Sequence, residues 1–351
     1  MIKTLPKEDL TNILIRGVNW IGDAVLTLPV ISAIRNTYAN AHLCLLAKPW
    51  VADLYRLCPY IDEVLLYESP GRHEGIMGKF RLVQEIKKRN FDAAILLQNA
   101  IEAALLTFLA RIPLRAGYRS DGRGFLLTNP VPRTKGVRQI HQSQYYIEMF
   151  RALGGKEPTL GPYLKLTEED KRRAEEYLEN YGVKKDSSFL ILVAPGATYG
   201  PAKRWPEERF AALIDKICFN FPARVVLLGS KADRVIAETI VNKNKLPIIN
   251  LVGETNLRLA VSIISIGHLL ITNDSGLMHI GGVLDVPTVA IFGSTDPKKT
   301  APLGNKKKIL YKEVSCSPCL KEVCPGDFAC MNLISVEEVY EAIRSFLHEG
   351  R

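Results

Sequence analysis

Short uninterrupted apolar runs alternate along the chain with longer stretches in which apolar residues recur every three to four positions. In the first half the runs are Asn12–Arg16 (NILIR), His42–Ala47 (HLCLLA), Glu63–Leu66 and 93–97 (AAILL). Helical periodicity covers residues 21–38, 78–89 and 101–110. A polar helical stretch at 168–181 precedes a second series. Its runs are Phe189–Ala194 (FLILVA), 224–229 (RVVLLG), 248–251, 268–272 (HLLIT) and 287–292 (PTVAIF). Helical spacing covers 206–219, 232–242, 256–264, 276–284 and, last, 336–347. Runs that are apolar at every position belong to strands covered on both faces. The pattern therefore predicts an α/β protein with parallel sheets, built as two units that meet near residues 160–186. The expected division is 1–165 and 166–335, with 336–351 as a final helix that packs back toward the first unit. Open sheets of this kind bind ligands at the carboxyl ends of their strands, and two such units are expected to face a cleft.

The 351 residues, 47% hydrophobic and 24% charged, suffice for two cores and exclude a disordered chain. No apolar run approaches the ~18–20 residues of a membrane-crossing helix. The first ten residues carry Lys3, Lys7, Glu8 and Asp9 and no apolar h-region, so residence in the cytoplasm is expected, with contact to a membrane from that side. The net charge of +9 is uneven. Residues 1–165 hold 22 Lys and Arg against 14 Asp and Glu, whereas 166–351 hold 24 against 23. Between 103 and 147, seven cations (Arg111, Arg115, Arg119, Arg123, Arg133, Lys135, Arg138) face one acid, Asp121. This is either a solvated basic face or a site for a polyanion. Nucleic acid is disfavoured, because the stretch lacks interleaved aromatics and any known motif.

Chemistry concentrates where strands end. The first strand leads into Gly17-Val18-Asn19-Trp20-Ile21-Gly22-Asp23. The G-x-x-x-x-G spacing resembles a phosphate-binding loop, but Asp23 and Ala24 stand where Lys and Ser or Thr are needed. Lys48, not an acid, follows the second strand, which argues against NAD. Asp23 is either a helix N-terminal acid or a general base. The second unit opens on Ala194-Pro195-Gly196-Ala197-Thr198-Tyr199-Gly200-Pro201-Ala202-Lys203-Arg204-Trp205-Pro206. Hydroxyls at Thr198 and Tyr199 and the cation Lys203 sit there over a helix start, as an ordinary turn or as a diphosphate site. A further strand end carries Thr272-Asn273-Asp274-Ser275-Gly276-Leu277-Met278-His279. Ser275 and Gly276 would offer backbone N–H groups to an anion, Asp274 could be an N-cap, and His279 could be a packed core residue. Phe292-Gly293-Ser294-Thr295-Asp296-Pro297 repeats the small-residue loop. Cys316, Cys319, Cys324 and Cys330 form C-x2-C-x4-C-x5-C, open to a structural metal, disulfides or free thiols.

Three of these segments together resemble glycosyltransferase family 9, the ADP-heptose:lipopolysaccharide heptosyltransferases. They are Asn19-Trp20-Ile21-Gly22-Asp23, then Pro195-Gly196-Ala197 with Gly200-Pro201-Ala202-Lys203-Arg204-Trp205-Pro206, and Thr272 to His279 (TNDSGLMH). The middle segment resembles the family's type II pattern, residues 112–119 (IPLRAGYR) are also similar to the family, and the resemblance spans roughly 12–347. It implies a GT-B architecture of two Rossmann-like domains. It also implies ADP-L-glycero-β-D-manno-heptose as donor on the C-terminal domain, and the heptosylated Kdo inner core of lipopolysaccharide as acceptor on the N-terminal one. Transfer would invert the anomeric centre with no cofactor required. Carried over, Asp23 matches the base and Lys203 a diphosphate ligand. Thr198 and Tyr199 match phosphate-loop hydroxyls. Asp233 would be a ribose acid, and Asp274, Gly276 and His279 match donor-site residues. Arg115, Arg119 and Arg123 would meet the acidic acceptor. The cysteine cluster occurs in only some members and carries no catalytic inference. Two alternatives stay open: a related transferase with another acceptor, and a regulatory protein that binds the nucleotide sugar without turnover.

Overall fold

The computed structural model describes residues 3–6, 10–183 and 188–349. It divides into two compact units, Met1–Lys165 and Leu166–Arg351. The first runs β1 (Asn12–Arg16), α1 (Ile21–Thr37), β2 (His42–Ala47), α2 (Pro49–Arg56), β3 (Glu63–Leu66), α3 (Gly75–Lys88), β4 (Ala93–Leu96), α4 (Ile101–Leu109), β5 (Leu114–Arg119), β6 (Asn129–Pro132) and α5 (Gln142–Ala152). Its six strands are all parallel, in the order β3-β2-β1-β4-β5-β6.

The second unit contains α6 (Glu168–Glu179), β7 (Phe189–Ala194), α7 (Glu207–Asn220), β8 (Ala223–Leu227), α8 (Arg234–Lys243), β9 (Ile249–Asn250) and α9 (Leu257–Ile266). It continues with β10 (Leu269–Asn273), α10 (Gly276–Val283), β11 (Thr288–Phe292), α11 (Pro297–Thr300), β12 (Lys307–Tyr311), α12 (Ala329–Asn332) and α13 (Val336–Glu349). The parallel order is β12-β11-β10-β7-β8-β9, so each unit repeats the doubly wound arrangement. Strand order reverses between β1 and β4 in one unit and between β7 and β10 in the other, and ligand crevices form at such points. No helix among the described residues is long and apolar enough to cross a membrane.

NILIR and FLILVA are buried at every position after the first, whereas the edge strand β3 is half-buried along its length. The sequence reading sets 336–351 apart as a segment returning toward the first unit. In the structure Val339, Tyr340, Ile343 and Leu347 of α13 lie in the second unit's core, with Phe210, Ile214 and Ile217 of α7. β5 is not predicted from the pattern, because two arginines and a glycine interrupt its apolar positions.

Helix α6 is polar enough to need help. Its buried stripe is only Asp170, Ala174 and Leu178. Thr167 caps it: the Asp170 N–H donates to Thr167 Oγ1 at 3.1 Å, and the Thr167 N–H and hydroxyl donate to Asp170 Oδ2 at 2.9 and 2.7 Å. Arg258 of α9 grips the same carboxylate with Nε on Oδ1 at 2.7 Å and a second nitrogen on Oδ2 at 3.0 Å. The Arg258 guanidinium, then the capping hydrogen bonds, hold the Asp170 carboxyl well below its ordinary range against the opposing effect of burial. Asp170→Asn is expected to cost about 1–2 kcal/mol at pH 7, the worth of a cap and a partly exposed ion pair. Because the folded carboxyl titrates below the unfolded one, this contribution is complete above about pH 4 and is lost as the pH falls through the acid range. Urea unfolding should show the gap between parent and variant shrinking with acidification. A gap independent of pH would contradict the assignment.

Candidate functional site

In the second unit three loops converge at the reversal point. Asn273, the last residue of β10, is wholly buried. Its Nδ2 donates to the Pro195 carbonyl at 2.6 Å, and its Oδ1 accepts from the Trp205 N–H at 3.1 Å. Both ends of the loop after β7 are thereby fixed. Within that loop Lys203 reaches Asp274, with Nζ 2.6 Å from Oδ2. The same oxygen accepts from the Thr295 hydroxyl at 2.6 Å. Lys203 Nζ also lies 4.8 Å from the centre of the Tyr199 ring. The Ser294 N–H donates to the Ala202 carbonyl at 3.3 Å, and the buried Ser294 hydroxyl has no hydrogen-bond partner among the described residues.

Beside this knot begins α10. Its N-cap residue Ser275 is extended and makes no side-chain cap; its hydroxyl lies 3.1 Å from that of Thr272. The amides of the first turn, from Gly276 onward, are therefore not used by the capping side chain. They form the kind of dipole end that binds anions. A partly buried cation, an orphaned hydroxyl and a helix N-terminus stand at one strand-order reversal, which suits a diphosphate. His279 is buried one turn inside α10.

The other expected donor residues divide. Thr198 is exposed. The Tyr199 hydroxyl is committed, donating to the Leu320 carbonyl at 2.6 Å, so this residue serves to hold its ring beside Lys203 rather than to offer a hydroxyl. Asp233 is buried and caps a helical turn, with Oδ2 accepting from the Ser230 N–H at 2.9 Å and hydroxyl at 2.7 Å. Gly196 packs against that carboxyl so closely that a Cβ there would lie 2.3 Å from it. Asp233 thus has a structural task as the cap of this turn.

In the first unit Asp23 is the third residue of α1, half-buried at the end of β1. It lies close to two wholly buried tyrosines, Tyr55 and Tyr146. Burial pushes Tyr55 up to about 12, with Asp23 a minor contributor, and burial followed by the Asp23 charge raises Tyr146. The Tyr55 hydroxyl accepts from the Val18 N–H at 3.2 Å. Two cations that the sequence reading did not assign stand beside this loop. Arg16, buried at the last position of β1, donates to the Gly17 and Leu46 carbonyls and to Asn19 Oδ1, and burial lowers its pKa to about 10. Lys48 follows β2, with Nζ 2.9 Å from the Ser69 carbonyl and 3.5 Å from the centre of the Tyr67 ring. Burial, then Arg16, depresses its pKa. The available signal was a cation closing an otherwise apolar run.

The basic stretch is corrected by the structure. Arg123 is wholly buried and donates to the Tyr118, Gln98 and Ala100 carbonyls. Arg115 donates to the Leu126 carbonyl at 2.7 Å and the Ile112 carbonyl at 2.5 Å, and stacks on Phe108 at 5.3 Å. Both brace the backbone around β5 instead of waiting for a ligand. Arg119 is exposed, as are Arg111, Lys135 and Arg138.

The clustered cysteines Cys316, Cys319, Cys324 and Cys330 are free thiols. Burial, followed by the three neighbouring thiols, raises the Cys330 pKa. Among the described residues no group of three or more His, Cys, Asp or Glu is arranged to hold a metal ion, and the four thiols form no disulfide. It acts as a buttress. The Ala202 N–H donates to the Glu322 carbonyl at 3.0 Å, and the Leu320 N–H to the Ser294 carbonyl at 2.8 Å. Gly200 (φ +154°) packs so tightly on Glu322 that a Cβ would lie 2.4 Å away.

This arrangement agrees with the comparisons to known proteins. The model of glycosyltransferase family 9 (heptosyltransferase) matches residues 79–329. The chain belongs to that family and is a glycosyltransferase. It is 30% identical over 310 residues to lipooligosaccharide heptosyltransferase 2 of Haemophilus influenzae, covering 85% of this chain and 88% of the relative. The structure of Escherichia coli ADP-heptose lipopolysaccharide heptosyltransferase II superposes with a TM-score of 0.82 at 27% identity, over 97% of this chain and 99% of that one. A family 9 glycosyltransferase from Veillonella parvula gives a TM-score of 0.88 at 25% identity, over 99% and 100%. The two parallel-sheet units are those of the GT-B class of these relatives.

Asn273 should be the keystone of the second-unit loops. Asn273→Ala leaves a buried carbonyl and a buried N–H without partners, which should cost about 2–4 kcal/mol. Chemical unfolding checks the loss, and hydrogen exchange should show faster exchange at the Trp205 amide. Normal stability would remove Asn273 from this role.

Proposed function

We propose that this protein transfers L-glycero-D-manno-heptose from ADP-heptose to the heptosyl-Kdo inner core of lipopolysaccharide, at the cytoplasmic surface of the inner membrane. The observation that carries the reading is the Lys203–Asp274–Thr295 junction beside the α10 N-terminus, in a chain similar over nearly its whole length to heptosyltransferases II. ADP-heptose is assigned to the second unit. Lys203 and the α10 amides meet its diphosphate, and His279 and Thr198 border it. The acceptor is assigned to the first unit. Its carboxylates and phosphates suit the exposed Arg119 and the positive potential that the buried Arg16 and Lys48 contribute. Asp23 takes the proton of the attacking hydroxyl as the new bond forms at C1 and the ADP bond breaks, so the configuration inverts and no covalent intermediate or cofactor is needed. Mass spectrometry after incubation with ADP-heptose and truncated lipopolysaccharides should show the addition of one heptose. If every acceptor is left unmodified, the reading fails.

Two variants separate the roles. Lys203→Ala should lower kcat by roughly 10²–10³, with a smaller loss of ADP affinity, because charge builds on the diphosphate as it departs. A kcat within threefold of the parent would exclude Lys203 as the leaving-group cation. Asp23→Asn keeps shape and the first-turn position, so a merely capping acid predicts near-normal turnover. A base predicts a fall of about 10²–10⁴ in kcat with unchanged ADP affinity and melting temperature. Substantial residual activity would remove Asp23 from the mechanism.

A further inference from the structure

Helix α4 is apolar on both sides. It buries Ala103, Ala104, Leu106 and Thr107, yet Ile101, Leu105, Phe108 and Leu109 are exposed along one stripe. A helix apolar all round is ordinarily enclosed, and here the outer stripe is not. The neighbouring α3 adds Ile76 and Met77, 87% and 77% exposed, and Phe80. The Lys79–Glu102 pair, 2.7 Å apart, ties the two helices side by side. On the other flank Phe125 is 78% exposed, in the turn whose Leu126 carbonyl is held by Arg115. Apolar surface of this continuity marks an interaction site.

We propose that the α3–α4 face docks on an anionic lipid bilayer, which rests on the membrane-surface location proposed above. The charge around the face selects the occupant. Arg81 is exposed on α3 and Arg72, paired with Glu85, just before it, and between residues 103 and 147 Arg111, Arg119, Arg133, Lys135 and Arg138 are exposed against one acid, Asp121. Apolar residues that enter the headgroup boundary, ringed by cations, suit an anionic surface. A second copy of the same face would bring like charges together. Docking here places a glycolipid acceptor beside the unit assigned to hold it.

The test is co-sedimentation of the full chain with vesicles containing phosphatidylglycerol, with phosphatidylcholine vesicles for comparison. The parent should bind the anionic vesicles, more weakly as salt rises, and bind phosphatidylcholine poorly. Ile76→Ser with Met77→Ser and Phe80→Ser should lower partitioning at least tenfold at unchanged melting temperature. Arg81→Glu with Arg111→Glu should lower binding to anionic vesicles alone. If the parent binds and the triple serine variant binds equally, the face is wrong while the membrane reading stands. If the parent binds neither vesicle, the membrane reading itself fails. A lipid-free dimer that the serine variant dissociates would make the face a contact between copies and overturn the proposal.

Discussion

One oxygen of Asp274 accepts from both Lys203 and Thr295, and the order of the second unit's strand-end loops depends on that junction. A buried carboxylate is costly unless paired and hydrogen-bonded, and this one has both kinds of partner. The same pairing places an ammonium group next to the start of α10, where an incoming anion would meet it. Asn273 fixes the adjoining loop by backbone contacts alone. The loop that carries the cysteines presses on the other side, through Leu320 and Glu322. The site is thus supported from three directions by groups with no chemistry of their own.

The first unit solves a different electrostatic problem. Its cations outnumber its acids, and several are buried against carbonyl oxygens instead of carboxylates. Arg16 and Arg123 both lose basicity through burial, with pKa values lowered to about 10, and both still carry their charge at neutral pH. Such residues hold loops in place and contribute a positive potential without a neutralising partner. A unit of this kind presents positive potential over a broad surface, whereas in the second unit the charged groups Lys203 and Asp274 are gathered at one junction.

The alternation of strands and helices was legible because the strands are buried on both sides and carry unbroken apolar runs. β5 was not, since Arg115 and Arg119 break its run; the Arg115 side chain ends on backbone carbonyls, which no periodicity reveals. The loops at the strand ends were legible as motifs, but their connections were not. Nothing in the spacing of Lys203, Asp274 and Thr295 announces a shared oxygen. Conversely, Asp233 and Tyr199 occupy motif positions while the structure employs them as a cap and a brace. Local sequence decides which groups stand at a strand end, and tertiary contact decides which of them remain available.

The central claim is that the second unit's three loops form one nucleotide-diphosphate site organised by Asp274. Hydrogen–deuterium exchange of the full chain with and without ADP tests it most directly. Slowed exchange should appear together at residues 196–203, 275–279 and 293–296, and Asp274→Asn should weaken protection in all three segments at once. Protection confined to a single loop, or located in residues 10–165, would contradict the account.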